Sequence, residues 1–119
     1  GNALNKLGKH SEAIKCYDRA LEINPNYAYA WAGKGLALNK LGKYSKAIKC
    51  YDWGLEINPN YDYAWTGKGV ALYNLGKHSE AIKCFDKALE INPNKANAWA
   101  GKGLALNKLG KHSEAIKCY

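Results

Sequence analysis

Four cysteines and three histidines are the residues of this 119-residue chain best suited to chemistry. Thiolates and imidazoles bind zinc, paired thiols oxidise to disulfides, and either group can serve in nucleophilic catalysis. Their spacing argues against all three. Cys16, Cys50, Cys84 and Cys118 are each 34 residues apart, whereas a zinc site needs close pairs such as C-x₂₋₄-C with ligands converging on one point. Equivalent positions in stacked helical units lie about 10 Å apart, beyond the ~7 Å between Cα atoms that a disulfide spans. The expectation is four reduced, mostly packed thiols and a cytoplasmic location. His10, His78 and His112 share one position of the same period, where the remaining copy has Tyr44. Packing is therefore their expected role. Each histidine has only Lys and Ser as chain neighbours, and no Ser-His-Asp set, phosphate loop or paired carboxylates recur. The chain reads as non-enzymatic, with no cofactor and no metal.

The same 34-residue step carries Trp31, Trp65 and Trp99, and also Pro25, Pro59 and Pro93. A fixed period of this size means one supersecondary unit copied along the chain, each copy burying its apolar face against the next. The domain organisation expected is a partial repeat at 1–27, full repeats at 28–61 and 62–95, and a partial repeat at 96–119. Met is absent and Gly stands at position 1, so the chain is expected to be a piece of a longer array. It has no run of 18 apolar residues, no signal peptide and no lipidation motif, so it reads as soluble and without a membrane partner. The net charge of +8 is spread along the array and not gathered in a tail. Such a spread steers acidic partners more than it fixes specificity. Basic composition without a motif makes nucleic acid the weaker partner class.

Within the copy 28–61, Gly42 interrupts an apolar-periodic stretch and Ser45 follows closely. Gly just past one helix and Ser just before the next predict a helix hairpin. Asn58-Pro59-Asn60 then ends the second helix, because Pro cannot continue it. The predicted helices are A at 28–41, B at 45–57, A at 62–75, B at 79–91 and A at 96–109, with a first B at 11–23. Helix B has a single apolar stripe, Ala47, Ile48, Tyr51, Gly54 and Leu55. Helix A is different. Trp31, Gly35 and Leu38 share one face, while Tyr29, Ala32, Leu36, Asn39 and Lys40 form a semi-apolar face opposite. That second face recurs in each copy and must line something.

These residues resemble the tetratricopeptide repeat, whose pattern places Trp, Gly, Gly, Tyr, Ala, an aromatic, Ala and Pro at set positions. The copy 28–61 supplies Trp31, Gly35, Gly42, Tyr44, Ala47, Tyr51, Gly54 and Pro59. The copy 62–95 supplies Trp65, Gly69, Gly76, His78, Ala81, Phe85, Ala88 and Pro93. The resemblance covers the whole chain and implies an all-α, right-handed superhelical solenoid of antiparallel helix hairpins, with the three tryptophans buried. Lys34, Lys68 and Lys102 stand where the family has Leu, so their stems are expected to pack and their amines to reach the surface. Pairing with Asp18, Asp52 or Asp86 would refine that arrangement. Gly54 replaces the usual Ala, and Trp53 beside it is either a cover for the gap or a contact patch.

The family implies an interaction scaffold whose helices A line a concave groove for a peptide or helix of a partner. The groove residues expected are Tyr29, Leu36, Asn39 and Lys40 in one copy, with Tyr63, Thr66, Val70, Tyr73 and Asn74 in the next. The last copy adds Asn97, Leu104, Asn107 and Lys108. Aliphatic and aromatic contacts with amides between them suit a segment with apolar anchors, and the lysines favour some acidic character. The chaperone-carboxylate clamp of one subgroup does not fit, since Leu36, Val70 and Leu104 stand where it needs Asn. Ala32, Thr66 and Ala100 likewise stand where it needs Lys, and only Asn2 matches. Two alternatives stay open. Helical hairpin repeats of similar length read RNA bases, although the aliphatic groove positions speak against it. The second is self-association, because residues 1–17 nearly repeat 103–119. Apolar Leu4 and Leu7 at one end and Ile116 and Tyr119 at the other would stack head to tail, or half-repeats would exchange.

Overall fold

Helical stretches of 13 or 14 residues alternate with two kinds of stop, one built on Gly and one on Asn-Pro-Asn. At Gly42, Gly76 and Gly110 the backbone takes φ values of 78°, 82° and 82°, the left-handed region that glycine enters without a Cβ penalty. The stop closes with paired bonds, Gly42 N–H donating to Asn39 O at 3.0 Å and Lys43 N–H to Leu38 O at 2.8 Å. At the other stop Asn58 is extended at φ −136°. Its Oδ1 accepts from Asn60 N–H at 3.2 Å, which tightens the turn ahead of the next helix.

The computed structural model describes the backbone of residues 2–110 and the side chains of 8–110. In it run α1 (Asn2–Ile23), α2 (Ala28–Lys40), α3 (Tyr44–Ile57), α4 (Asp62–Asn74), α5 (His78–Ile91) and α6 (Ala96–Lys108). The chain is an all-α helical-repeat solenoid, with no strand among the described residues. From α2 onward every helix matches its sequence-predicted span to within one residue at each end. The hairpins are α2 with α3 and α4 with α5. The backbones of α2, α4 and α6 also approach one another in succession, whereas among the described residues no Cα of α3 comes within 8 Å of α5 or α1. Closer approach on the A side curves the stack and leaves the A helices on its inner face.

Three expectations need correction. A first helix B is predicted to start at 11, yet α1 runs unbroken from Asn2 to Ile23, straight through Gly8. Residues 3–9 and 37–43 have the same sequence, ALNKLGK, so the difference lies in packing. Helices α2 and α3 hold each other antiparallel, whereas among the described residues the backbone of α1 lies close to that of α2 alone. Ser45 does not cap α3: the helix starts at Tyr44, and the N-cap residue Lys43 makes no side-chain cap bond. The tryptophans are half-buried at 31 and 65, and Trp99 is 38% exposed. Each indole N–H donates to the proline carbonyl six residues earlier, at 2.8–2.9 Å. That bond holds the ring edge at the surface, where it pins the inter-repeat loop.

The core instead centres on the helix B aromatics. Tyr51 and Phe85 are the largest fully buried side chains. Each is gripped between two glycines, Tyr51 by Gly35 and Gly67 and Phe85 by Gly69 and Gly101, where a Cβ would run into the ring. One aromatic therefore ties its own hairpin to the next copy. Lys34, Lys68 and Lys102 meet Asp18, Asp52 and Asp86 of the preceding helix B, all at 2.7 Å. Their ammonium groups also lie 5.7–6.0 Å from Trp31, Trp65 and Trp99. Cys50 and Cys84 are buried but Cys16 is exposed. Cys118, with the end residues Leu4, Leu7, Ile116 and Tyr119 expected to drive stacking, lies outside the described side chains.

Candidate functional site

The inner face holds a groove of about 510 Å³ running obliquely from the second half of α2, across α4, to the first half of α6. Leu36, Val70 and Leu104, one from each A helix, stand along it and are 39%, 39% and 45% exposed. Solvent-facing aliphatic side chains at one repeat position form an apolar ridge, the kind of surface that takes an anchor residue. Tyr63, 36% exposed, adds an aromatic wall.

Amides and lysines surround the ridge. Asn39 Nδ2 donates to Gly67 O at 3.2 Å, and Asn74 Nδ2 donates to Val70 O at 2.9 Å. The Thr66 hydroxyl donates within its own helix, to Asp62 O at 2.9 Å. Lys40 lines the groove from the end of α2 and Lys95 from just before α6, and among the described residues no carboxylate lines it. Lys95 Nζ lies 3.7 Å from Asp62 Oδ2 and 5.9 Å from the Tyr63 ring centroid, and Asp62 also accepts from Asn92 at 3.3 Å. Burial raises the Tyr63 hydroxyl above its ordinary pKa, with neighbouring tyrosines adding to it. The tyrosine thus remains a neutral hydrogen-bonding group.

Of the thirteen sequence-predicted residues, nine line this groove: Leu36, Asn39, Lys40, Tyr63, Thr66, Val70, Asn74, Asn97 and Leu104. Four lie apart. Tyr29 is 58% exposed beside Tyr27, their ring centroids 5.9 Å apart. Tyr73 turns into its own hairpin and meets His78 edge-on at 5.2 Å. Asn107 and Lys108 sit exposed near the end of α6, beyond the groove. Sequence reasoning missed Lys95, Tyr44 and Tyr51. Lys95 had a visible signal, since the other copies carry Tyr27 and Tyr61 there. Tyr44 and Tyr51 belong to helix B and reach the groove between A helices, which a face drawn on one helix does not reveal.

Outside the groove, Trp53 stacks on Trp31 with centroids 5.9 Å apart and planes 23° from parallel. The pair borders a hollow of about 760 Å³ with Pro25, Asn26, Glu56 and Ile57. The His78 ring packs on Tyr73, and no cluster able to hold a metal ion occurs among the described residues.

Models of the tetratricopeptide repeat match residues 28–61 and 63–95, and related repeat models match 1–42 and 84–117. The chain belongs to the tetratricopeptide repeat family. Membership supports a protein-interaction, scaffold role in general terms, and such repeats are typically non-enzymatic. No curated protein matches the sequence. Among solved structures, a crystal structure of the MamA protein is 25% identical with a TM-score of 0.85, over 92% of this chain and 60% of that one. A MamA double mutant is 24% identical at TM-score 0.84, over 99% and 66%. A MamA point mutant is 28% identical at 0.73, over 88% and 61%. The chain thus spans about two thirds or less of those structures. Among the described residues no helix is long and apolar enough to cross a membrane.

Proposed function

We propose that the groove across α2, α4 and α6 binds a peptide or helix of a protein partner, with apolar residues on the ridge and acidic residues at the edges. The observation that carries this is one groove lined by three exposed aliphatic side chains and by two lysines, of which Lys95 is paired with Asp62 and Lys40 has no carboxylate beside it among the described lining residues. Ridge contacts supply affinity through apolar burial. Lys40 and Lys95 favour acidic side chains and speed encounter at low salt. Family membership supports a protein partner over nucleic acid, and so do the aliphatic residues at the groove's centre.

The test is fluorescence anisotropy with labelled peptides carrying acidic ends and aliphatic centres. Tyr63→Ala with Val70→Ala should weaken binding at least tenfold while the circular dichroism melt stays cooperative. Trp53→Ala should leave binding unchanged. Binding lost with Trp53→Ala but kept in the groove variant would move the site to the Trp31–Trp53 hollow. Oligonucleotides of different sequence should bind alike and lose affinity uniformly as salt rises; a strong preference for one sequence would support the RNA reading.

A further inference from the structure

One position of helix B breaks the repeat in charge. The copies carry Arg19 with Glu22, Trp53 with Glu56 and Lys87 with Glu90, and residues three apart are neighbours on one helix face. In α5 the cation comes from within, Lys87 Nζ lying 3.5 Å from Glu90 Oε2. In α3 a tryptophan has taken the cation's place. Glu56 is exposed and takes part in none of the ion pairs among the described residues.

That tryptophan also differs from the other three. Trp31, Trp65 and Trp99 each have a lysine ammonium 5.7–6.0 Å from the ring centroid, and an aspartate holds each of those lysines at 2.7 Å. Trp53 is the most exposed of the four, at 54%, and among the described residues no cation lies over its ring. Trp31 stacks on one side of that ring, which leaves the other side to solvent. Trp53 and Glu56 both border the hollow of about 760 Å³, and Glu56 is the only ionisable group in its lining among the described residues. The wall opposite in sequence is held in place, because Pro25 O accepts from Trp31 Nε1–H at 2.9 Å. A chain of net charge +8 thus presents an aromatic face beside an unpaired carboxylate.

We propose that this hollow takes an arginine side chain from a segment of a protein partner, supplying from outside the cation that α5 supplies from within. An open ring beside a carboxylate suits a group that is cationic, flat and rich in donors. A guanidinium is all three, its plane stacking on Trp53 and its edge forking onto Glu56. Lysine brings the charge only as a point. Pro25 and Ile57 give the residues flanking the arginine apolar surface to rest on, which favours a segment over the free amino acid. A second copy of this chain fits poorly, since two copies at +8 repel. Its only arginine, Arg19, also has Glu22 one turn away. The proposal stands apart from the groove reading, because the groove favours acidic segments and the hollow a basic one.

The experiment uses the full chain labelled with nitrogen-15 and acetylated, amidated heptapeptides of alanine and serine, with the central residue set to Arg, citrulline, Lys or Glu. Titrations follow the Trp53 indole N–H and the backbone N–H resonances of Glu56 and Ile57. The Arg peptide should shift all three and bind about tenfold more tightly than the citrulline peptide, which keeps the shape but not the charge. The Lys peptide should fall between them, and the Glu peptide should not bind. Glu56→Gln should cut the preference for Arg over citrulline to about twofold, leaving the contact with the ring. Trp53→Lys builds the Lys87–Glu90 arrangement of the next copy, which the fold already accommodates, and should abolish the preference. The variant carrying Tyr63→Ala with Val70→Ala should bind the Arg peptide as wild type does. Equal binding of the Arg and citrulline peptides would overturn the proposal, as would a preference that survives at full size in either Glu56→Gln or Trp53→Lys. Loss of Arg binding in the groove variant would overturn it by moving the site to the groove. Self-association that disappears in Trp53→Lys would overturn it by making the occupant a second copy. If none of the four peptides binds, the proposal fails and the groove reading is unaffected.

Discussion

Asp52 of α3 and Lys68 of α4 meet at 2.7 Å across a repeat boundary, and the same contact recurs as Asp18–Lys34 and Asp86–Lys102. The lysine side chains are 23–24% exposed and the carboxylates 47–50%. Partial exposure keeps the ion-pair term small, about 0.5 kcal/mol, and sensitive to salt. The lysine does more than pair, since its ammonium also lies 5.7 Å from the Trp65 ring centroid. Lys68→Ala should therefore cost more than Asp52→Ala, by roughly 1 kcal/mol. A double-mutant cycle in urea separates the two terms. A coupling that did not shrink in about 1 M salt would contradict the exposed-pair account.

Two glycines should respond to alanine with opposite signs. At Gly54 an added Cβ would lie 3.5 Å from Ala28 O and from Trp31 Cβ, which is ordinary contact. The next copy already carries Ala88 there. Gly54→Ala should stabilise the array by about 1 kcal/mol through helix propensity. At Gly67 the same atom would enter the Tyr51 ring, and that ring is wedged in the core. Gly67→Ala should destabilise by roughly 1–3 kcal/mol. Thermal melts of the two variants, run side by side, check both signs.

The stacking of Trp53 on Trp31 predicts a modest effect. Its ring stacks on Trp31 and remains 54% exposed, so Trp53→Ala should cost about 1 kcal/mol, mainly lost stacking. In Gly54→Ala, where the helix is already stiffened, that loss should persist, because the ring rests on Trp31 and not on the glycine. A loss that vanished in the double variant would show the ring to be filling the gap left by Gly54.

The 34-residue period made the helix order and both kinds of stop legible, because Gly42, Gly76 and the Asn-Pro-Asn turns act locally. It also exposed the Lys34–Asp18 type of pair, since a residue out of place in every copy needs a partner in every copy. What stayed hidden depends on packing between elements. The heptapeptide ALNKLGK turns at Gly42 and runs straight through Gly8, so no local rule could separate the two. Tyr73 looked like a groove residue by helical spacing, yet the ring of His78 in the same hairpin draws it inward. Tyr51 looked like core alone, and it is fully buried there while also bordering the groove from beneath.

Thiol chemistry should sort by burial. Cys16 is exposed, whereas Cys50 and Cys84 are buried, and burial raises both of the latter, Cys84 to about 11. A thiol held protonated and out of reach is a poor nucleophile. With iodoacetamide near pH 8, peptide mapping should find Cys16 alkylated in the folded array. Cys50 and Cys84 should label only once denaturant unfolds it. Labelling of Cys84 at the rate of Cys16 would show the helix B core to be open.

The same groups set an alkaline limit on stability. Burial is the main cause at Cys84, opposed by the nearby Lys68 ammonium, and burial likewise raises Tyr51. Both are acids whose folded pKa exceeds the unfolded one, so folding keeps them protonated. Their contribution is intact below the unfolded value, 9.0 for the thiol, because both states are then neutral. As pH rises past that value the unfolded chain loses its proton first and gains free energy that the folded chain does not. For Cys84 the loss is complete near the folded value of about 11, and the interval corresponds to roughly 2–3 kcal/mol. The midpoint of urea unfolding should hold steady between about pH 7 and 8.5 and fall steeply from about 9 to 11. Cys84→Val keeps the volume and removes the titration, so its curve should fall less over that interval. A parallel fall in the variant would assign the alkaline loss to Tyr51 and the other tyrosines, whose ordinary value of 10.0 starts their own decline one pH unit higher.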